Sequence, residues 1–161
     1  AALRSTGTKR FAGEAAGSRK AYAFSFSEGK STTVHVFESA IDLLSYATLQ
    51  KLRGADWKAE HYVSLGGCCF SVEEGLPPSL THMLHEKQNI QVIKLHLDND
   101  NAGRTYTQAI IEIFQNDYQV INAPPPCGKD VNDYLMMKLK QMEERSQNGA
   151  GKNFIHEPQR A

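Results

Sequence analysis

Residues 90–104 read IQVIKLHLDNDNAGR, and this stretch decides the fold of the chain. Its first half is rich in apolar and β-branched residues and too short for a helix, which predicts a buried strand. The strand ends in two carboxylates one residue apart, Asp98 and Asp100, before a long helical pattern begins. Because open α/β sheets bind ligands beyond the carboxyl ends of their strands, this acid pair predicts a functional site. The other interpretation is an ordinary turn, which Asp and Asn also favour.

The composition is that of an ordinary globular protein. The chain has 161 residues, of which 40% are hydrophobic and 22% are charged, which is enough for one domain with a sizeable core. Because 18 Lys and Arg balance 18 Asp and Glu, the net charge gives no indication of a nucleic-acid or membrane surface, and any basic patch must be local. No apolar run reaches the length of a transmembrane helix and no signal peptide is recognised, so no membrane partner is expected.

The cysteines and histidines argue against a disulfide framework or a zinc site. Cys68 and Cys69 are adjacent and Cys127 stands alone, so the count is odd and no Cys-x-x-Cys spacing occurs. This usage favours a reducing compartment, and we predict a cytoplasmic protein. His82 and His85 share one face of a predicted helix, but no third ligand accompanies them, so both are interpreted as surface residues.

Strand and helix patterns alternate along most of the chain. Strands are predicted at residues 22–26, 32–37, 61–65, 90–97 and 119–122, and helices at residues 40–52, 79–86, 102–116 and 131–144. This order predicts an α/β fold with a mostly parallel sheet of about four strands flanked by helices. The predicted divisions are an N-terminal extension of short strands and loops (1–30), a main domain (31–145) and a loosely ordered tail (146–161). The apolar side of the first long helix is expected to consist of Ile41, Leu44, Ala47 and Leu49.

A third carboxylate, Glu38, ends the predicted strand at residues 32–37, and Ser39 is suited to cap the helix that follows. Asp42 lies one helical turn beyond Glu38. Right-handed crossovers bring the carboxyl ends of parallel strands to one edge of the sheet, so we expect Glu38 beside the acid pair. Clustered carboxylates repel one another unless a cation neutralises them, and all-oxygen ligands favour Mg²⁺ or Mn²⁺. Such an ion can hold a phosphate oxygen and stabilise phosphoryl transfer.

Four motifs, in this order, resemble the Toprim domain that bacterial-type primases, topoisomerases and some nucleases share. They are Val36-Phe37-Glu38-Ser39-Ala40-Ile41-Asp42, Leu65-Gly66-Gly67, Leu97-Asp98-Asn99-Asp100-Asn101-Ala102-Gly103-Arg104 and Gly128-Lys129-Asp130-Val131-Asn132. The resemblance covers residues 34–135 and departs from primases at Ser39, where they usually carry Gly. Four ordered motifs make it specific, whereas Asp-x-Asp alone would be weak.

The resemblance implies a Toprim fold and metal-dependent nucleotidyl transfer or phosphodiester cleavage on nucleic acid, with Mg²⁺ or Mn²⁺ as the cofactor. By the same likeness, Asp98 and Asp100 are metal ligands. Glu38 is the general acid/base and a further candidate metal ligand.

Further groups are assigned by the same likeness. Asp42 and Asp130 are auxiliary acids. Lys129 and Arg104 are candidate phosphate contacts, although Arg104 also fits an ordinary solvated helix residue. A second function remains open, namely a Toprim module that binds metal, nucleic acid or a partner protein without turnover. A receiver-like signalling domain is disfavoured, because the spacing of the acids does not suit it.

The N-terminal residues are basic, with a single acid, Glu14, among residues 1–20. Arg4, Arg19 and Lys20 are interpreted either as solvated surface or as phosphate contacts. Segments 3–6 and 17–20 resemble the strand segment that precedes Toprim-like domains of plasmid and conjugative-element proteins. This narrower likeness implies a primase- or relaxase-associated protein, with single-stranded DNA and replication or mobilisation proteins as partners.

Overall fold

The chain folds around one main sheet, and the computed structural model describes residues 2–5, 7–9, 12–67 and 75–150. The strands are β1 (Ala2–Arg4), β2 (Ala12–Glu14), β3 (Ser25–Phe26), β4 (Thr33–Phe37), β5 (His61–Ser64), β6 (Val92–His96) and β7 (Gln119–Asn122). The helices are α1 (Ala40–Leu52), α2 (Pro78–Glu86), α3 (Asn101–Phe114) and α4 (Val131–Ala150), with a 3-10 turn at Lys20–Tyr22.

Parallel pairing joins four strands of the main sheet. The strand order is β3-β5-β4-β6-β7, in which β4 to β7 run parallel and β3 pairs antiparallel with β5. β1 and β2 form a separate antiparallel pair. The predicted α/β fold with a mostly parallel sheet is therefore confirmed. The strand predicted at residues 22–26 is shorter than expected, and its residues 25–26, which were assigned to the N-terminal extension, pair with the main sheet.

The two faces of the sheet carry separate apolar cores, because successive strand residues point to opposite faces. On one face, Val36 and Leu95 pack with apolar residues of α2 and α3. On the other face, Phe37 and Tyr62 pack with apolar residues of α1 and α4. Burying one large apolar side chain contributes about 1.5–3 kcal/mol. Direct parallel pairing places the carboxyl ends of β4 and β6 side by side, and the two helix layers cover the sheet on both faces.

Helix α1 is rotated relative to the prediction. Two residues expected on its apolar side, Ile41 and Leu44, are each 52% exposed, so that part of the prediction is wrong. Leu43 is buried instead. Leu43 packs in the core with Phe37 of β4 and Val131 of α4, and the carboxylate of Asp42 on the same side of α1 accepts a hydrogen bond from the backbone N–H of Asn132.

The C-terminal helix is longer than predicted. α4 continues to Ala150 rather than ending at Glu144, because no proline interrupts the chain between these residues. Residues 146–150, which were assigned to a loosely ordered tail, are therefore helical, and residues 151–161 lie outside the described part of the chain. Cys68 and Cys69 also lie outside it. Among the described residues, no helix has the length and apolarity needed to span a membrane.

Candidate functional site

The acid pair lies in the turn that joins β6 to α3. Asp100 caps α3, since its Oδ1 accepts a hydrogen bond of 2.9 Å from the backbone N–H of Gly103. A Cβ added to Gly103 would lie 2.1 Å from the carbonyl oxygen of Asp98. The third residue of the helix therefore has to be glycine for the turn to close. Asp98 is only 9% exposed, whereas Asp100 is partly exposed.

A single cation bridges the two carboxylates. The Nζ atom of Lys129 lies 3.0 Å from Oδ2 of Asp98 and 3.4 Å from Oδ2 of Asp100. Hydrogen bonding and attraction to Asp98 raise the pKa of Lys129 above its usual range. Burial raises the pKa of Asp98, and the hydrogen bond from Lys129 offsets only part of that effect. The pKa of Asp100 is lowered, chiefly by the hydrogen bond from the Gly103 backbone.

The loop that carries Lys129 is tied to the acid turn by Asn99. The backbone N–H of Asn99 donates to the carbonyl oxygen of Lys129 at 2.7 Å. Its side-chain amide donates to the carbonyl oxygens of Pro125 and Gly128 at 3.0 and 3.3 Å. The sequence around Asn99 indicates only a turn, because the partners of Asn99 lie 26 to 30 positions away and no local pattern identifies them.

The two auxiliary acids, Asp130 before α4 and Asp42 in α1, both accept hydrogen bonds from backbone N–H groups in the first turn of α4. Oδ1 of Asp130 accepts a hydrogen bond of 2.8 Å from the N–H of Asp133, which caps the helix. Asp42 accepts hydrogen bonds from Ser39 Oγ at 2.5 Å and from the N–H of Asn132 at 3.3 Å. Negative charge is favourable at this end of a helix because of the helix dipole. Both acids also contribute to the raised pKa of Asp98, so they act on the same site electrostatically.

Glu38 follows β4, which is the neighbour of β6 in the sheet. Phe37 pairs in register with His96 at the carboxyl ends of these strands, and Glu38 and Leu97 are the residues that follow this pair. The carbonyl oxygen of Glu38 accepts a hydrogen bond of 2.9 Å from Gly67. In the described ranges, no three His, Cys, Asp or Glu side chains are grouped so as to hold a metal ion. The acid pair and Glu38 thus share one edge of the sheet without forming a closed three-ligand cluster.

The predicted phosphate contacts are distributed over several elements. The Arg104 guanidinium donates to the carbonyl oxygen of Asn99 at 2.9 Å and to Asn101 Oδ1 at 2.7 Å, so it braces the acid turn. Arg19 lies over the ring of Tyr22, 4.8 Å from its centroid. Lys20 lies in the 3-10 turn, and Arg4 lies in β1. The side chain of Arg4 is outside the described part of the structure.

The sequence does not predict a chain of hydrogen bonds that links His35 of β4, His96 of β6 and Glu60, which precedes β5. Nδ1 of His35 lies 2.8 Å from Nε2 of His96, and Nε2 of His35 lies 2.6 Å from Oε2 of Glu60. Burial, reinforced by the charge of Lys94, lowers the pKa of His35 to about 3. Burial likewise lowers the pKa of His96 to about 3. Which ring nitrogens donate in these two contacts is set by the tautomers of His35 and His96.

The low pKa of His35 predicts that its ring stays neutral between pH 8 and pH 5. In the unfolded chain, a histidine titrates near pH 6.5, so the unfolded state takes up the extra proton between about pH 6.5 and 3. Stability is therefore expected to fall as the pH drops through this window, by about 1.4 kcal/mol per pH unit from this residue. NMR of the ring protons, assigned with His35→Gln, measures the titration. A midpoint near pH 6.5 in the folded protein would contradict the neutral ring.

The fold and the site together define an α/β domain with an acidic, cation-holding turn at the carboxyl edge of its sheet. The sequence pattern of the Toprim-like family matches residues 35–135, so the chain belongs to the Toprim-like family. The resemblance inferred from the four motifs is thereby confirmed.

Two similar proteins extend the comparison. An uncharacterized protein of Bacillus anthracis is 29% identical, in an alignment that covers 78% of this chain and 38% of that protein. The crystal structure of the primase fragment of the bacteriophage T7 primase-helicase protein is 21% identical, with a TM-score of 0.45, and the match covers 71% of this chain and 43% of that chain. The chain therefore spans less than half the length of either one.

Proposed function

We propose that this Toprim domain binds a divalent metal ion at Asp98 and Asp100 and performs nucleotidyl transfer or phosphodiester chemistry on nucleic acid, as primases do. The observation that supports this function is the convergence of one oxygen from each carboxylate on a single cation, the Lys129 ammonium. Such a position at the carboxyl edge of a parallel sheet suits a metal-dependent site.

The residues at this position fit Mg²⁺ or Mn²⁺. Asp98 and Asp100 offer hard oxygen ligands, and Glu38 follows the adjacent strand as a third candidate. The Lys129 side chain is 58% exposed, so its ammonium has open solvent into which it can move. A bound ion of this kind polarises a phosphate oxygen and stabilises the charge that develops in phosphoryl transfer.

The other roles follow from charge and position. Glu38 takes the proton from an attacking hydroxyl or returns it to the leaving oxygen. Lys129 and Arg104, which both contact residues of the acid turn, are the candidate contacts for the nearest phosphates. Arg4, Arg19 and Lys20 are candidates for phosphates further along a single strand of DNA.

We further propose that the protein acts in the replication of plasmids or other mobile elements, because segments 3–6 and 17–20 resemble the corresponding segments of such proteins. Its proposed partners are replication or mobilisation proteins, and its proposed location is the cytoplasm. The reducing compartment indicated by the cysteine usage agrees with that location.

A second candidate function is a module that binds metal, nucleic acid or a partner protein without turnover. The observation that favours it is the Lys129 bridge, because an internal cation already offsets part of the charge of the acid pair. Primer-synthesis and nuclease assays with Mn²⁺ separate the two functions, since only the first predicts turnover.

Asp98→Asn is expected to weaken Mn²⁺ binding by about tenfold or more, because it removes the charge of one of two proposed carboxylate ligands. Titration calorimetry measures this affinity.

In the wild type, single-stranded oligothymidine should bind more tightly with Mn²⁺ and more weakly as salt rises. Fluorescence anisotropy should show that Asp98→Asn loses the part of this affinity that depends on the metal.

The matched control is Asp117→Asn, which removes the same charge from an exposed residue in the turn between α3 and β7. It should leave both affinities unchanged. Equal Mn²⁺ affinity in the wild type and Asp98→Asn would remove Asp98 from the metal site. Affinity for DNA that depends on neither metal nor salt would favour the partner-binding module.

A further inference from the structure

Lys129 holds the position between the two carboxylates where a bound cation would lie. Its Nζ is within 3.0 Å of Asp98 and 3.4 Å of Asp100, so one ammonium contacts both acids of the turn. The buried carboxylate of Asp98 gains most from this contact, since water reaches only 9% of its side chain. Two negative charges against one positive charge leave the turn with a residual charge that still attracts a divalent ion.

The backbone of Lys129 is clamped while its side chain is exposed. The carbonyl oxygen of Lys129 accepts the Asn99 N–H at 2.7 Å, and its own N–H donates to Asp133 Oδ2 at 3.0 Å. Gly128, immediately before it, has a φ of +84° and no room for a Cβ, which would lie 2.7 Å from Cβ of Asp133. The ammonium is therefore kept permanently within reach of the acid pair, although 58% of the side chain is exposed.

We propose that Lys129 is an internal competitor for the metal site: its ammonium occupies the Asp98–Asp100 pair in the metal-free domain and must swing out before a divalent ion binds there. This inference rests on the proposed function, because it takes the acid pair as the metal site.

The competition follows from charge and geometry. An ammonium and a divalent ion repel each other and cannot lie between the same two carboxylates. Because the Lys129 backbone remains bonded to Asn99, the ammonium returns whenever the metal leaves. The affinity for metal is therefore lowered by the stability of the Lys129 bridge. The bridge also reduces the repulsion between the carboxylates of Asp98 and Asp100 when no metal is bound.

The first test compares Mn²⁺ affinity of the metal-free domain by titration calorimetry in the wild type and Lys129→Gln. Removing the competing ammonium should tighten binding by about tenfold, which corresponds to about 1.4 kcal/mol. The matched control is Lys140→Gln, which removes the same charge from an exposed position on α4 and should leave the affinity unchanged.

A second variant keeps the charge and guards against a folding defect in Lys129→Gln. Lys129→Arg should bind Mn²⁺ as weakly as the wild type or more weakly, because a guanidinium forms two parallel hydrogen bonds with carboxylates. In the wild type, NMR of the lysine side-chain ammonium groups should show the Lys129 signal changing on addition of Mg²⁺, while that of Lys140 does not.

The outcomes separate this inference from the proposed function. Tighter Mn²⁺ binding in Lys129→Gln, with no gain in Lys129→Arg, supports the competition. If the wild type binds Mn²⁺ and Lys129→Gln binds it equally well or more weakly, the competition is wrong, but the proposed metal site stands. If neither protein binds Mn²⁺, both the competition and the proposed metal site are wrong. Equal tightening in Lys129→Gln and Lys140→Gln would reduce the effect to net charge and also overturn the inference.

Discussion

Glu38→Gln is expected to keep the fold and most of the metal affinity while lowering nucleotidyl transfer or strand cleavage by about 10²- to 10⁴-fold. Glu38 directly follows β4, and the pairing of Phe37 with His96 places it at the sheet edge where the chemistry is proposed. Glutamine retains the size and the hydrogen-bonding oxygen but cannot accept the proton of an attacking hydroxyl. The rate should be measured in the full-length protein.

A titration with Mn²⁺ separates proton transfer from metal binding. If Glu38 only helps to hold the ion, excess Mn²⁺ should restore the rate of Glu38→Gln to near the wild-type value, and the acid/base role would be wrong. A rate that stays low at saturating Mn²⁺ supports proton transfer. Glu28→Gln, at an exposed position between β3 and β4, is the matched control and should retain full activity.

Gly103→Ala is expected to destabilise the domain by about 3 kcal/mol and to lower its melting temperature by about 10 °C. The new Cβ would lie 2.1 Å from the carbonyl oxygen of Asp98, which is backbone and cannot rotate away. The start of α3 would have to move from the turn, and the cap bond between the Gly103 N–H and Asp100 would lengthen. Because the acid pair would separate, Mn²⁺ affinity should fall in the same variant.

Thermal unfolding monitored by circular dichroism measures this loss, with Gly7→Ala as the control. A Cβ at Gly7 meets no atom within 4 Å, so the same substitution there should change stability by less than about 0.5 kcal/mol. A melting temperature for Gly103→Ala within a degree of the wild type would show that the turn tolerates the side chain.

Most of the fold could be predicted because its elements carry local signals. The helix predicted at residues 40–52 and the strand at residues 119–122 are found with those bounds as α1 and β7. In α1, Ser39 accepts a hydrogen bond from the N–H of Asp42, as a capping residue should. Alternation of strands and helices then leaves few arrangements besides a parallel sheet covered by helices.

The orientation of these elements was harder to predict. α1 has apolar residues around much of its circumference, so periodicity alone could not decide whether Ile41 or Leu43 faces the core. Packing against Val131 and Leu135 of α4, which are far away in the sequence, buries Leu43. The His35–His96 pair was missed for the same reason, since 61 residues separate two rings that meet only because β4 and β6 are adjacent.

The sequence by itself determined the element order, the Toprim-like family and the acidic turn after β6, because periodicity, capping and motif spacing are properties of neighbouring residues. Tertiary structure alone decided what the acids contact. Lys129 reaches Asp98 and Asp100 because Asn99 clamps the loop before α4 to the acid turn. The partners of a charge depend on distances between segments far apart in the chain, and only the packing of the sheet and its helices sets those distances.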